Sequence, residues 1–544
     1  MMASVKPPIS ASTISASTIS ASNSTSMTTL SELLAEFVDV SSCPATPITG
    51  LSLDSREAKP GDLFIALKGT QTDGAQYIAQ AIGQGAVAVL IEAGEETADQ
   101  AQLSVPVIAV PKLSEFVSDI AGAFYGHPSR QMAVTAITGT NGKTTCAQLL
   151  ANLFELLGEP AGSVGTVGYG TAGNGKDDDQ SVGDTDIGDQ VSALEPDTEV
   201  AASDMLTTPD AVAIQRILAE LRDSGSRRVA IEASSHGLVQ RRIAGLQIDT
   251  AIFTNLSRDH LDYHGDLNSY AAAKSRLFAM SGLKHAVINL DDNVGRLILA
   301  NLDPAVDGIT YSFENHTADI HCDRIELGAS AMTAELVTPW GRGRLTSQLL
   351  GKFNLANLLA VIGAAGMQGF KIDEMLGAAA KLTAVPGRME IVDPSARPLV
   401  VVDYAHTPDA LDKALRTLRL QCSGKLWVVF GCGGDRDKGK RAEMGRVADQ
   451  LADHIVVTSD NPRSEPPEQI IHQVLLGISR KVVAVADRRD AIRAAINAAA
   501  ADDIVLIAGK GHEAYQIVAA KRLPFSDLAE ARLALRQKRE AEVI

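Results

Sequence analysis

The chain has 544 residues, 45% of them hydrophobic and 21% charged, with a formal net charge of −17. At about 150 residues per domain, that length suggests three or four domains, each able to bury its own core without staples. The acidic balance excludes general affinity for nucleic acid or for an anionic membrane surface, so any anionic substrate must meet a local basic cluster.

The first segment, ISAST-ISAST-ISASN over residues 9–23, lacks the basic and continuous apolar regions of a targeting peptide. Its composition predicts a disordered tail over 1–26. Residues 27–111 follow with short strands at Leu63–Ala66, Val87–Ile91 and Val107–Val110, which predict a small α/β domain. A β-branched run at Val134–Ile137 then leads into Thr-Gly-Thr-Asn-Gly-Lys-Thr-Thr, ending at Thr145. Glycines let backbone amides approach phosphate oxygens, Lys143 supplies charge, and Thr144 offers a hydroxyl to Mg²⁺. The helix expected to start here adds its N-terminal dipole. The strict phosphate-loop pattern would want glycine at 137, where isoleucine stands; the strand, Gly loop, GKT and helix order is otherwise complete. As a plain structural turn this run would be a costly coincidence, so nucleotide binding is favoured.

Residues 176–204 hold ten acidic groups and one lysine and few large apolar side chains. Residues 170–204 therefore read as a flexible acidic insertion, with a solvated loop favoured over a metal site at Asp177–Asp179. Further runs at Arg228–Ile231 and Ala251–Thr254 predict strands. Glu232 closes the first, ahead of Ser234, Ser235 and His236; the second leads into TNLSRDHLDYHG, with Asp259, His260, Asp262 and His264. Carboxylates and imidazoles at strand C-termini suit a metal beside a phosphate. Taken alone, His236 or His264 fits a hydrogen-bonded turn, and Glu232 and His260 gain weight only from the phosphate loop before them. Phe353–Phe370 is uncharged but carries Asn354, Asn357, Gln368 and three glycines, so it predicts a packed helix rather than a membrane span.

The strand pattern restarts after Pro386–Gly387, with strands expected at Leu399–Val402, Leu426–Phe430, Ile455–Thr458 and Ile504–Ile507 and helices at Asp409–Leu420 and Arg488–Ala500. Repeated βα units imply parallel sheets covered by helices. Four strand ends are loaded: Asp403-Tyr-Ala-His-Thr-Pro, GCGGDRDKGK from Gly431, Asp460-Asn-Pro-Arg463 and Gly509-Lys-Gly-His-Glu513. They should converge on one rim of one sheet. The glycine run is no dinucleotide fingerprint, because Arg436 stands where glycine would be needed. Arg436 and Arg463 suit a carboxylate or phosphate, whereas Lys438, Lys440 and Arg441 also fit a solvated basic loop. Five cysteines (Cys43, Cys146, Cys322, Cys422, Cys432) form no C-x-x-C pair, which disfavours disulfides or structural zinc and predicts a reducing cytoplasm.

Together, GTNGKTT, SSHGLVQ, TNLSRDHLDYHG, GKFNLANLLA, PGRME, VDYAHTPDAL, FGCGGDRDKGKR, DNPR and AGKGHE resemble the Mur ligases of peptidoglycan precursor synthesis, in the branch that adds the third residue. The resemblance runs from about residue 50 to the C-terminus, outside the acidic insertion. It implies an α/β fold of three domains: a UDP-substrate domain over 27–111, a central P-loop-type parallel-sheet ATPase over 112–384, and a C-terminal Rossmann-like domain over 385–544. The implied ATP site is Gly139, Thr140, Asn141, Gly142, Lys143, Thr144, Thr145, Asn354, Asn357, Arg388 and Asp403. Leu53, Ser55, Thr70, Gln71 and Thr72 match uridine-nucleotide contacts, and Thr207, Thr208, Ser234, Gln240 and Arg242 match contacts to the muramoyl-dipeptide. Leu206 stands where relatives often carry asparagine.

The same resemblance implies Mg²⁺ held by Thr144, Glu232, His260 and a carbamylated Lys274, with Lys143, Lys274 and His260 in catalysis. On its residues alone, Lys274 would be a surface helix lysine. The implied reaction is ATP-dependent ligation of meso-diaminopimelate to UDP-N-acetylmuramoyl-L-alanyl-D-glutamate. Arg436, Asp460, Asn461, Pro462, Arg463, Gly509 and Glu513 would bind the diaminopimelate. The expected protein is a cytoplasmic monomer with no nucleic-acid or stable membrane partner. The alternatives are L-lysine as the added residue, a folylpolyglutamate-synthetase-like ligase, or a P-loop scaffold without ligase chemistry; DNPR and the loaded strand ends disfavour them.

Overall fold

A computed structural model of the chain describes residues 28–41, 43–69, 73–94, 103–172, 206–327, 331–519 and 521–543. The tail expected over 1–26, the nucleotide contacts expected at Thr70, Gln71 and Thr72, and nearly all of the 170–204 insertion lie outside those residues. The chain divides into two compact units.

The first comprises Met1–Ala133, Lys176–Arg227 and His236–Gln247. It contains a four-stranded parallel sheet in the order Gly50–Ser52, Asp62–Ile65, Ala88–Glu92, Val107–Val110. Leu63, Ile65 and Leu90 face one core, Phe64, Val89 and Ile91 the other, as the two-residue period of a strand demands. Helix Leu113–Phe124 packs on the first face through Leu113, Val117 and Ile120. Helix Ala211–Asp223, opened by an Asp210 side-chain cap, joins it there, and the buried Gln215 amide donates to Ser118 O at 3.0 Å.

The second unit comprises Val134–Gly175, Arg228–Ser235 and Ile248–Ile544. Its larger sheet runs Asp307–Tyr311, His285–Asn289, Thr250–Phe253, Ala133–Thr138, Arg228–Glu232, Ala161–Gly165, Gly168–Thr171, with the last pair an antiparallel hairpin. Helices Lys143–Leu156 and Lys352–Met367 share one core with it and with a three-stranded antiparallel sheet, His321–Leu327, Met332–Thr338 and Gly341–Ser347. Helix Lys352–Met367 is buried nearly all round. The Trp340 ring lies where a Cβ on its Gly366 would sit, so only glycine fits there. It is the packed helix expected over Phe353–Phe370, and among the described residues no helix is long and apolar enough to cross a membrane.

The second sheet of this unit runs Glu390–Ile391, Leu399–Asp403, Ile504–Ala508, Leu426–Phe430, His454–Thr458, Val483–Val485, parallel after its first strand. Val401, Val428 and Leu506 meet helices Pro408–Arg419, Gly439–Leu451 and Pro467–Leu475. Val400, Val402, Val429 and Val505 meet helices Arg488–Ala498 and Asp527–Val543 on the opposite face. Burial on both faces explains why these strands read as unbroken apolar runs.

Candidate functional site

Helix Lys143–Leu156 begins directly after the loop that leaves strand Ala133–Thr138. Gly142, at φ +89°, is its N-cap, and a Cβ there would lie 2.6 Å from Asn357 Oδ1. Conformation and space therefore both require glycine. The loop is held by the segment after strand Thr250–Phe253. Thr140 N donates to Asn255 O (2.8 Å), Asn141 N to Asn255 Oδ1 (3.0 Å) and Ser257 N to Thr140 Oγ1 (2.9 Å). The Thr254 hydroxyl donates to Asn141 O at 2.6 Å. The TNLS part of that motif thus fixes the loop's shape, leaving the helix N-terminus as an anion site.

Lys143 Nζ folds back to the carbonyls of Gly139 and Thr140, at 2.9 Å each. Burial lowers its pKa, and the charges of Glu232 and Asp259 oppose that shift. Glu232, 2% exposed, accepts from Thr166 N (2.7 Å) and Thr166 Oγ1 (3.2 Å). Asp259 is buried, yet His260, Lys440 and His406 hold its carboxyl well below the usual range. His260 itself has φ +53° and lies 3.3 Å from Asp259.

Lys274, in helix Leu267–Ser275, is 1% exposed rather than on the surface that its residues alone suggest. Its Nζ donates to Gly139 O at 2.7 Å and lies 4.4 Å from the centroid of the Tyr270 ring. Burial and the nearby Lys143 push its pKa well below that of an ordinary lysine.

Arg388 reaches the same loop, donating to Thr144 Oγ1 at 2.9 Å with its guanidinium 4.3 Å from the Tyr404 ring centroid. Its Nε is buried without a hydrogen-bond partner among the described residues, an arrangement that native structures rarely leave uncompensated. Asp403 accepts from Met389 N at 2.7 Å, and burial raises its pKa to about 6. Asn354 and Asn357 are buried behind the loop: Asn357 donates to Asn354 at 3.2 Å, and Asn354 to Leu350 O at 2.8 Å. Asn141 donates to Asp409 Oδ2 at 2.7 Å.

The strand ends carrying Asp403, Asp460 and Gly509 converge as the βα pattern predicts. Asn461 donates to Glu513 Oε2 at 2.9 Å, and Lys510 bridges Asn461 Oδ1 (3.0 Å) and Glu513 Oε2 (2.7 Å). Asp460 is buried and kept ionised against that burial by Lys510 and Arg488. Pro462 is buried, and Arg463, at φ +51°, donates to Gly434 O at 2.9 Å. Arg436 is exposed and donates to Asp435 O at 3.1 Å.

In the first unit, Thr208 O accepts from Arg242 at 2.6 Å, and Gln240 Oε1 accepts two further bonds from that guanidinium, at 3.0 and 2.6 Å. Ser55, buried, donates to Gln80 at 2.8 Å; Leu53 and Thr207 are half-buried. Ser234 belongs to the second unit, two residues after Glu232.

Several contributors escape the sequence reading. Lys440 is 7% exposed and faces Asp259, and Arg441 is fully buried, donating to Glu465 at 2.9 and 2.8 Å. Only Lys438 of that basic run keeps the solvated character open to it in the sequence. Lys510 and Arg488 are also fully buried. Arg488 pairs with Asp527 and donates to the carbonyls of Ser459 (3.3 Å) and Ala508 (3.0 Å), just before Asp460 and Gly509. Its only sequence signal is a charge at the start of a helix.

Family models match three stretches: the Mur ligase family catalytic domain over 47–125, the Mur ligase middle domain over 137–365, and the Mur ligase glutamate ligase domain over 387–511. The UDP-N-acetylmuramoyl-L-alanyl-D-glutamate--2,6-diaminopimelate ligase of Pseudomonas aeruginosa is 47% identical over 490 residues, 90% of this chain and 95% of that protein. Its namesake from Coxiella burnetii is 44% identical over 494 residues, 90% and 96% of the two chains. A solved structure of a ligase of that description matches with a TM-score of 0.63 and 36% identity, covering 94% of this chain and 99% of its own. The chain belongs to the Mur ligase family, and it is an ATP-dependent ligase.

Proposed function

We propose that this ligase joins meso-diaminopimelate to UDP-N-acetylmuramoyl-L-alanyl-D-glutamate. The observation that carries the reading is one connected set of contacts: Arg388 reaches Thr144 of the phosphate loop and lies over Tyr404, whose hydroxyl donates to Glu513 at 3.4 Å, the same carboxylate that Asn461 of the DNPR strand end donates to. The UDP-dipeptide and 2,6-diaminopimelate are the substrates in the names of relatives 44–47% identical to it over 90% of its length.

A carboxylate does not accept an amine directly, because its oxygen is a poor leaving group. Attack of the D-glutamyl carboxylate on the ATP γ-phosphate gives an acyl phosphate and ADP. The amine of the incoming amino acid then displaces phosphate. The backbone amides at the helix N-terminus, Lys143 and Arg388 hold the polyphosphate and offset charge developing on the transferred group. Arg463 grips the far carboxylate of diaminopimelate, and the Glu513, Asn461 and Lys510 cluster orients its polar end. Positioning supplies most of the rate.

The Thr144 hydroxyl and Glu232 carboxylate are hard oxygen donors of the kind Mg²⁺ takes, with Asp259 adding charge nearby. Mg²⁺ there would neutralise phosphate charge. The Lys274 ammonium does not fit beside a cation. Burial and the nearby Lys143 favour its neutral amine over the ammonium, and the amine can add to carbon dioxide and release a proton to give a carbamate. That reversal of charge makes Lys274 a suitable neighbour for the ion.

The discriminating assay is phosphate release from ATP. It should require both the UDP-dipeptide and diaminopimelate. Release with the dipeptide and lysine at equal efficiency would assign the alternative amino acid, and release without either would remove the ligase reading.

A further inference from the structure

We propose that His316, His321 and Asp323 form a second metal site, for a late first-row divalent cation such as Zn²⁺, which clamps the loop after strand Asp307–Tyr311 to the three-stranded sheet. This site stands apart from the phosphate loop in the fold: it begins at the edge strand of the larger sheet, whereas the phosphate loop leaves a central one.

The first observation is the tautomer of His321. Its Nδ1 lies 2.8 Å from Ala318 O, and a carbonyl only accepts, so Nδ1 carries the proton. Nε2 therefore presents a lone pair in the neutral ring. A backbone carbonyl that fixes the far nitrogen is the usual support of a metal-binding imidazole. The second observation is distance. His321 Nε2 lies 3.6 Å from Asp323 Oδ1, and His316 Nδ1 lies 3.7 Å from the same oxygen. A charged hydrogen bond would close to about 2.8 Å. Two ligand atoms on a tetrahedral cation with bonds near 2.0 Å stand about 3.3 Å apart. The three ligand atoms all lie within 4.8 Å of one another, and His316, 62% exposed, has room to close the remaining edge.

The backbone provides the arrangement. The register of strand His321–Leu327 shifts between Cys322 and Arg324, leaving Asp323 without a partner across the sheet. A bulge of this kind re-aims a side chain. Asp323 Oδ2 accepts from Arg342 at 2.9 Å, which leaves Oδ1 for the two imidazoles. The loop carrying His316 is set by the fully buried Ser312, whose hydroxyl accepts from Glu314 N at 2.9 Å and Asn315 N at 2.6 Å. Two imidazoles and one carboxylate favour zinc, nickel or copper over magnesium.

The test is calorimetric titration of the full-length chain with Zn²⁺ in excess Mg²⁺ and ADP, which occupy the hard-oxygen positions. Wild type should take up one equivalent that His316→Ala and His321→Ala lose or bind at least tenfold more weakly, roughly the scale at which perturbing a metal site's support acts. Zn²⁺ should raise the melting temperature of wild type more than that of His316→Ala, whose solvent-facing side chain can be removed without disturbing packing. Equal stoichiometry, affinity and thermal shift in wild type and His316→Ala would overturn the site. Ligase turnover without Zn²⁺ should be the same in both.

Discussion

The side-chain nitrogen of Lys274 is buried against the phosphate loop, 2.7 Å from the Gly139 carbonyl, although it comes from a helix that starts 128 residues later in the chain, at Leu267. A second buried cation beside Lys143 is costly unless its charge is removed or reversed. Lys274→Ala should lower turnover at least a hundredfold, the scale of losing one preorganised electrostatic group. Depleting bicarbonate should slow wild type and leave the variant unaffected. Full activity in Lys274→Ala would end the carbamate reading.

Gly165→Ala probes the carboxylate at the other side of the loop. A Cβ at that position would stand 2.1 Å from Glu232 Oε1, where Thr166 N now donates. The alanine should displace Glu232, raise the Mg²⁺ concentration needed for half-maximal turnover severalfold, and leave the amino-acid KM unchanged. His512 Nε2 lies 3.1 Å from Thr166 O, so a shift in the amino-acid KM alone would point to that contact instead.

Arg463 is expected to set the choice of amino acid. Diaminopimelate differs from lysine by a carboxylate at its far end, and lysine would leave the guanidinium without that partner, at a cost of several kcal/mol where it is desolvated. Wild type should prefer meso-diaminopimelate by about a thousandfold in kcat/KM. Arg463→Ala should erase most of that preference, chiefly through loss of diaminopimelate turnover. Comparable wild-type turnover of both amino acids would refute the assignment.

Arg488 and Asp527 are both fully buried and joined at 2.7 Å. Removing one member leaves an unpaired buried charge, at about 3–5 kcal/mol. Asp527→Ala should therefore lower the melting temperature by roughly ten degrees. The freed Arg488 no longer fixes the Ser459 and Ala508 carbonyls, so the KM for diaminopimelate should rise more than that for ATP.

The cysteines make a simpler case. Cys146, Cys322 and Cys432 are buried, and burial pushes the thiols of Cys322 and Cys432 up to about 12. Cys43 and Cys422 are only partly covered. A thiol reagent at pH 8 should label these two in the folded chain and all five after unfolding. Rapid labelling of Cys146 in the native protein would show that helix Lys143–Leu156 opens locally.

Local sequence determined the parts of this protein whose physics is local. The phosphate loop was legible because glycines, a lysine and a hydroxyl residue must follow one another there, and the strands were legible because doubly covered parallel strands are continuous apolar runs. The DNPR and AGKGHE segments could be placed on one rim because parallel strands all end on the same side. Tertiary structure decided what depends on long-range packing. Nothing near residue 211 indicates that helix Ala211–Asp223 covers Leu113–Phe124. Lys274 lies in a short helix of weak amphipathic pattern, and only the fold turns it inward. Lys440 and Arg441 look like solvated loop charges until Asp259 and Glu465 arrive from other strand ends. Charge carries no periodic signature of its own burial: a buried ion is tolerated only where partners meet it, and partners as distant in sequence as those of Lys440 and Arg441 become visible only once the chain has folded.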